Sequence, residues 1–143
     1  MLVKIACVMV GGAAGAVLRF LSVEFAARRF GLAAYRSIFL INLLGCLALG
    51  FFVGSLSSPD GMLAGFITRW APDQPELPAS WLASLVGTGL LGGFTTFSTF
   101  ALDSLVLARE KRRAEFFIDV LGTPALGIGL AAIGWALAAR GLA

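Results

Sequence analysis

The sequence predicts an all-α membrane protein with four transmembrane helices, the third of them broken. Three observations carry that prediction. Of the 143 residues, 59% are hydrophobic and 13% charged, where soluble domains average about half and a quarter. The charged residues fall in short clusters that leave four apolar stretches. Because a helix needs ~20 apolar residues to cross the hydrocarbon core, this length holds four crossings and no separate soluble domain. Within the third stretch, residues 87–100 read GTGLLGGFTTFSTF, and paired glycines followed by paired threonines are poor helix formers.

The helices are expected at approximately residues 3–27, 37–57, 79–107 and 116–139 of a single transmembrane domain, 1–143. The first starts beside Lys4, and its glycines and internal Arg19 fit a secretory signal badly, so it reads as a mature helix. The second and fourth are charge-free over 37–59 and 120–139. The second connector, residues 57–78, holds four of the five prolines around an apolar patch at 62–68. It predicts a surface loop with an interfacial helix, flanked by Trp70 and Trp81 at headgroup depth. Four spans put both termini on one side. Lys4, Arg69 and Arg140 then oppose seven basic residues of the other connectors, namely Arg28, Arg29, Arg36, Arg109, Lys111, Arg112 and Arg113. That bias places the first and third connectors in the cytoplasm.

The net charge of +3 and the pI near 9.4 come from these interfacial clusters, which suit headgroups and topology rather than nucleic acid. Cys7 and Cys46 lie within apolar runs, and the chain has no His, which argues against a disulfide framework or a His-ligated metal. No Ser, Cys or carboxylate pair has the spacing of a nucleophile with its base, so an enzyme is not expected.

Several intramembrane residues have two readings each. Gly11, Gly15 and Arg19 share one face of the first helix at i, i+4, i+8. The glycines suit close helix contact, whereas Arg19 either snorkels to the interface or is a paired, functional cation. Asn42, Cys46, Gly50 and Gly54 form a small-residue stripe on the second helix. Asn42 either fixes packing through an interhelical hydrogen bond or donates an N–H to a permeating anion. A break near Gly92, Gly93, Thr95 and Thr96 would leave backbone groups in need of partners and would mark an ion site. After it, Phe97 and Phe100 share a face, with Thr95, Ser98 and Thr99 expected together opposite. A phenylalanine stripe is either packing or, through its electropositive ring edges, an anion contact. Neutral donors without a fixed charge would let a small anion leave quickly.

Three stretches, GGAAGAVLRF at 11–20, INLLGCLALG at 41–50 and GGFTTFSTF at 92–100, resemble in order and spacing the signatures of the Fluc (CrcB) fluoride channels. The resemblance covers most of the chain. It implies an antiparallel, dual-topology dimer with two fluoride pores and a structural Na⁺ at its centre, in a bacterial inner membrane. It implies that Na⁺ is held by the backbone carbonyls of Gly92 and Thr95 and by the same pair of the second copy. The pore residues it implies are Asn42, Phe97, Phe100, Ser98 and Thr99, with Thr123 as the hydroxyl of the fourth helix and Arg19 as the basic residue of the first motif.

The chain also departs from the family. Ile38 stands where many relatives have Thr, Asp103 where they often have Glu, and Asp119 where Tyr or Asn is usual; the 57–78 connector is long. Asp119 reads as an interfacial acid favoured by the dipole of a helix N-terminus, and Pro124 as a kink. Two other functions fit the gross layout. A proton-coupled small multidrug exporter needs an embedded acid on the first helix, where the only carboxylate, Glu24, is placed for an i, i+4 ion pair with Arg28. A half-channel paired with an oppositely oriented paralogue suits the seven-to-three charge bias, which a dual-topology homodimer does not explain.

Overall fold

Each membrane-crossing helix starts and stops on local chemistry. The computed structural model describes residues 1–58 and 61–139; Pro59, Asp60 and Arg140, used in the span and topology readings above, lie outside them. Helix α1 (Leu2–Phe30) ends at Gly31, whose φ of 63° is left-handed. The N–H groups of Gly31 and Leu32 return to the carbonyls of Ala27 and Ala26 at 3.0 and 3.4 Å, a closure that suits glycine because it lacks a Cβ. Helix α2 (Ala34–Ser57) follows after three residues. A short helix α3 (Met62–Trp70) occupies the long connector, with Met62, Phe66 and Trp70 exposed at i, i+4, i+8 and Ile67 buried.

The third span, Glu76–Arg109, is composite. Its first part, α4 over residues 76–94, passes from α-helix to a π-helical stretch, Ala83–Leu91, and back. Thr95 and Thr96 are extended, with ψ of 161° and 125°. Helix α5 (Phe97–Arg109) then restarts the chain in helical geometry. After a turn through Lys111, the one non-glycine residue with positive φ among the described residues, α6 (Arg113–Ala139) forms the fourth span. A π-helical stretch at Ile118–Gly122 lies immediately before Pro124, which has no N–H to return to the preceding turn. The four spans are long and apolar enough to cross a membrane, and no strand occurs among the described residues. The helices extend one to three residues beyond most of the ends read from sequence, because charged and polar residues continue each helix into the interface.

Two helix pairs organise the bundle, α1 with α4 and α2 with α6. Both approach through glycine. A Cβ on Gly15 would strike the Leu90 carbonyl and lie 2.8 Å from the Phe94 amide, and one on Gly89 would lie 2.9 Å from the Cα of Gly11. On the other pair, Gly54 faces the Trp135 backbone and Gly134 faces that of Phe51, both at under 3 Å for an added Cβ. Without water to drive apolar association, close backbone approach supplies the dispersion contact. The stripes read in the sequence at 11–15 and 50–54 are therefore helix contacts.

At one end, Arg112 joins the first and third connectors. It donates to the Tyr35 hydroxyl at 3.0 Å and to Glu115 at 3.2 Å, and its guanidinium lies 5.0 Å from the Tyr35 ring centre. The Glu115 hydrogen bond raises the Arg112 pKa above its ordinary value.

Gly15→Ala is expected to lower the melting temperature of the detergent-purified protein, by an overpacking cost of about 1–3 kcal/mol. Gly65→Ala in α3, where an added Cβ meets nothing within 4 Å, is expected to raise it slightly through helix propensity. Equal effects of the two substitutions would contradict the backbone contact.

Candidate ion pathway

A helix broken inside a membrane must find partners for the backbone groups it releases. Asn42 supplies them. Its Nδ2 donates to the Thr96 carbonyl at 3.1 Å, and its Oδ1 accepts from the Thr96 N–H at 2.9 Å. One side chain on α2 thus satisfies both faces of one peptide residue at the break, and Asn42 is itself only 7% exposed. The packing role considered for Asn42 is observed, and one of its two N–H groups remains for another acceptor.

The Thr96 side chain completes the restart. Its hydroxyl accepts from the Thr99 N–H at 3.3 Å as the N-cap of α5 and donates to the Thr99 hydroxyl at 3.1 Å, with Ser98 Oγ 3.2 Å away. The hydroxyl cluster is therefore Thr96, Ser98 and Thr99. Thr95, expected with Ser98 and Thr99, instead turns its hydroxyl back to the Leu91 carbonyl at 3.0 Å, because its extended backbone carries it out of helical register. Sequence reasoning did not give Thr96 a role. The available signal was a hydroxyl residue directly before a helical run, the usual N-cap pattern.

Arg19 does not snorkel away from the break. Its Nη1 donates to the Thr95 carbonyl at 3.1 Å, so the cation on the glycine face of α1 is paired with a carbonyl that the break exposes. The Thr96 N–H would return to Gly92 in an unbroken helix; since it goes to Asn42, the Gly92 carbonyl loses its ordinary partner.

Against the break lies a cavity of about 540 Å³. Asn42, Thr95, Phe97, Phe100 and Thr123 line it, and no charged residue does. The Phe97 and Phe100 rings are 5.8 Å apart and tilted by 47°. Phe97 is 79% exposed in the single chain. Four of the six expected pore residues, Asn42, Phe97, Phe100 and Thr123, thus meet at one cavity. Ser98 and Thr99 do not line it, but both hydroxyls bond to that of Thr96, which does.

Asp119, near the start of the fourth span, is buried and hydrogen-bonded. It is 3% exposed, and it accepts from Ser104 Oγ at 2.8 Å and from Thr123 Oγ1 at 3.4 Å. The π-helical stretch that contains it turns its carboxylate inward against α5. On α1, Glu24 forms its ion pair with Arg28 at 2.6 Å. No cluster of three or more His, Cys, Asp or Glu residues occurs among the described residues.

Residues 6–135 match the family model described as CrcB-like protein, Camphor Resistance (CrcB). The fluoride-specific ion channel FluC of Oceanobacillus iheyensis is 35% identical over 131 residues, covering 92% of this chain and 88% of that protein. FluC of Aquifex aeolicus is 35% identical over 130 residues, covering 91% and 92%. FluC of Methylobacterium nodulans is 37% identical over 131 residues, covering 92% and 90%. A match over nearly the whole chain, together with four apolar spans and a break clamped within the third, shows that this multi-pass membrane protein belongs to the CrcB family.

Proposed function

We propose that the protein is a fluoride-selective channel of the bacterial inner membrane that lets F⁻ leave the cytoplasm passively and so lowers its toxicity. The observation that carries this reading is the uncharged cavity at the break, walled by two phenylalanines and supplied with amide and hydroxyl groups. The names of the relatives support the choice of ion. In a dry conduit, ring edges of Phe97 and Phe100 attract the anion, the free N–H of Asn42 donates to it in the cavity, Ser98 or Thr99 donates to it beyond the cavity, Thr123 donates to it when its hydroxyl is released from Asp119, and no charged side chain lines the cavity to trap it. Weak-acid uptake loads the cytoplasm with F⁻, and the electrochemical gradient drives it out. The embedded acid that a proton-coupled exporter needs on α1 is not there, since Glu24 is engaged by Arg28.

A conduit requires walls on every side, and Phe97 stands largely uncovered in the single chain. A second copy, antiparallel to the first, supplies the missing wall and makes two pores. The seven-to-three charge bias supports the alternative that an oppositely oriented paralogue fills this place.

A structural Na⁺ fits the break in part. The Gly92 carbonyl is released by the Asn42 clamp, and a hard cation suits neutral oxygen ligands. The Thr95 carbonyl already accepts from Arg19 and offers only its remaining lone pair. Gly92 and Thr95, with the same pair from the second copy, would hold the ion, which would supply a fixed charge tying the two copies together.

Phe97→Ile is expected to abolish fluoride efflux from proteoliposomes, read with a fluoride electrode, while the dimer still assembles; unchanged efflux refutes its pore role. Asn42→Ala is expected to remove efflux and also lower thermal stability, since each orphaned Thr96 group costs about 1–3 kcal/mol. Loss of efflux at an unchanged melting temperature would show that Asn42 serves the anion alone. Replacing all Na⁺ with N-methylglucamine is expected to reduce efflux, and full efflux without Na⁺ would remove the ion from this account.

A further inference from the structure

Asp119 is a carboxylate one turn before a pore hydroxyl, in a protein that is read as conducting an anion. Its surroundings define what it does there. Among the described residues no cation lies within 4 Å of it. Its two partners are hydroxyls, Ser104 at 2.8 Å and Thr123 at 3.4 Å. The neighbouring Asp103, beside Ser104 on α5, has a buried Oδ2 with no hydrogen-bond partner among the described residues. A second cavity, of about 310 Å³, opens toward the charged connectors and is lined by Tyr35, Arg36, Glu115 and Asp119. Thr123 lines the cavity at the break. The Asp119–Thr123 pair therefore stands between the two cavities, one residue facing each.

A threonine hydroxyl has one proton to donate and lone pairs on the other side. An ionised carboxylate can only accept. With its proton directed to Asp119, Thr123 turns lone pairs toward the cavity at the break, the wrong polarity for an anion. Ser104 has no such conflict, because it also reaches the Phe100 carbonyl at 2.9 Å and can keep a partner without Asp119.

We propose that Asp119 is a positioning residue that acts through Thr123 as a brake on fluoride: it draws the Thr123 hydroxyl proton out of the conduit and so sets how tightly F⁻ is held beside the break. The inference rests on the fluoride-channel reading above. Asp119→Asn keeps the shape of the side chain and supplies N–H groups that can donate to the Thr123 oxygen, which frees the threonine proton for the anion.

The test is a double-mutant cycle on the full-length protein, with fluoride affinity read by fluorine-19 NMR titration and maximal flux by electrode. Asp119→Asn is expected to tighten fluoride binding about fivefold, the scale of one gained hydrogen bond. In a Thr123→Val background the same change is expected to have no effect on binding, and in Thr123→Ser it is expected to persist. Binding is readable even where Thr123→Val stops flux. Two results overturn the proposal: an Asp119→Asn affinity equal to wild type, or a gain of equal size in the Thr123→Val background, which would mean that the charge of Asp119 acts directly. A wild-type protein that neither binds nor passes F⁻ sinks the channel reading itself, a different failure from either of these.

Discussion

The double hydrogen bond between Asn42 and Thr96 is the interaction on which the rest depends. In water, an interrupted helix loses little, because solvent satisfies the freed groups. In hydrocarbon each unsatisfied N–H or C=O costs several kcal/mol, of order the net stability of a small domain. A break is tolerated there only if something polar arrives at the right depth. Asn42 arrives on α2, and its position is fixed in turn by the glycine contacts of α2 with α6. The break then follows from packing two helices away, and so does the release of the Gly92 carbonyl and the exposure of the Thr95 carbonyl that Arg19 meets.

Much of this was legible in the sequence because the membrane enforces simple rules. Four apolar stretches separated by charge clusters leave only one gross architecture, and the glycine stripes at 11–15 and 50–54 proved to be contact faces with tight backbone approach. The break itself was legible as a local failure of helix propensity at 92–96. What was not legible was its register. Whether Thr95 or Thr96 caps the new helix depends on which of them is extended last, and that is settled by where Asn42 meets the chain, a tertiary fact. The burial of Asp119 was not legible for a similar reason. A π-helical stretch widens the turn, which rotates side chains relative to an ideal α-helix and brings the acid into a buried contact with Ser104.

The two glycine-mediated pairs also divide the labour of the fold. Helices α1 and α4 hold the N-terminal half of the broken span with Arg19 beside it, while α2 and α6 carry Asn42 and Thr123, two of the polar groups at the cavity. The cavity lies where these units meet across the extended Thr95–Thr96 link. Its walls are thus drawn from three membrane spans, and its polar groups Asn42, Thr95 and Thr123 are each held by a hydrogen bond.

The placement of charge follows a consistent logic. A guanidinium facing the conduit would bind a small hard anion strongly in a low dielectric and slow its departure. Arg19 is instead directed at the Thr95 carbonyl, where it offsets the negative end of the exposed peptide group, and it is not among the residues that line the cavity. The other basic residues among those described lie toward the ends of helices or in the links between them, where water screens them. On the channel reading proposed above, a lining of aromatic edges and neutral donors is then sufficient, since each contact is weak enough to exchange for the next and the sum of several replaces the hydration that a dry passage would remove.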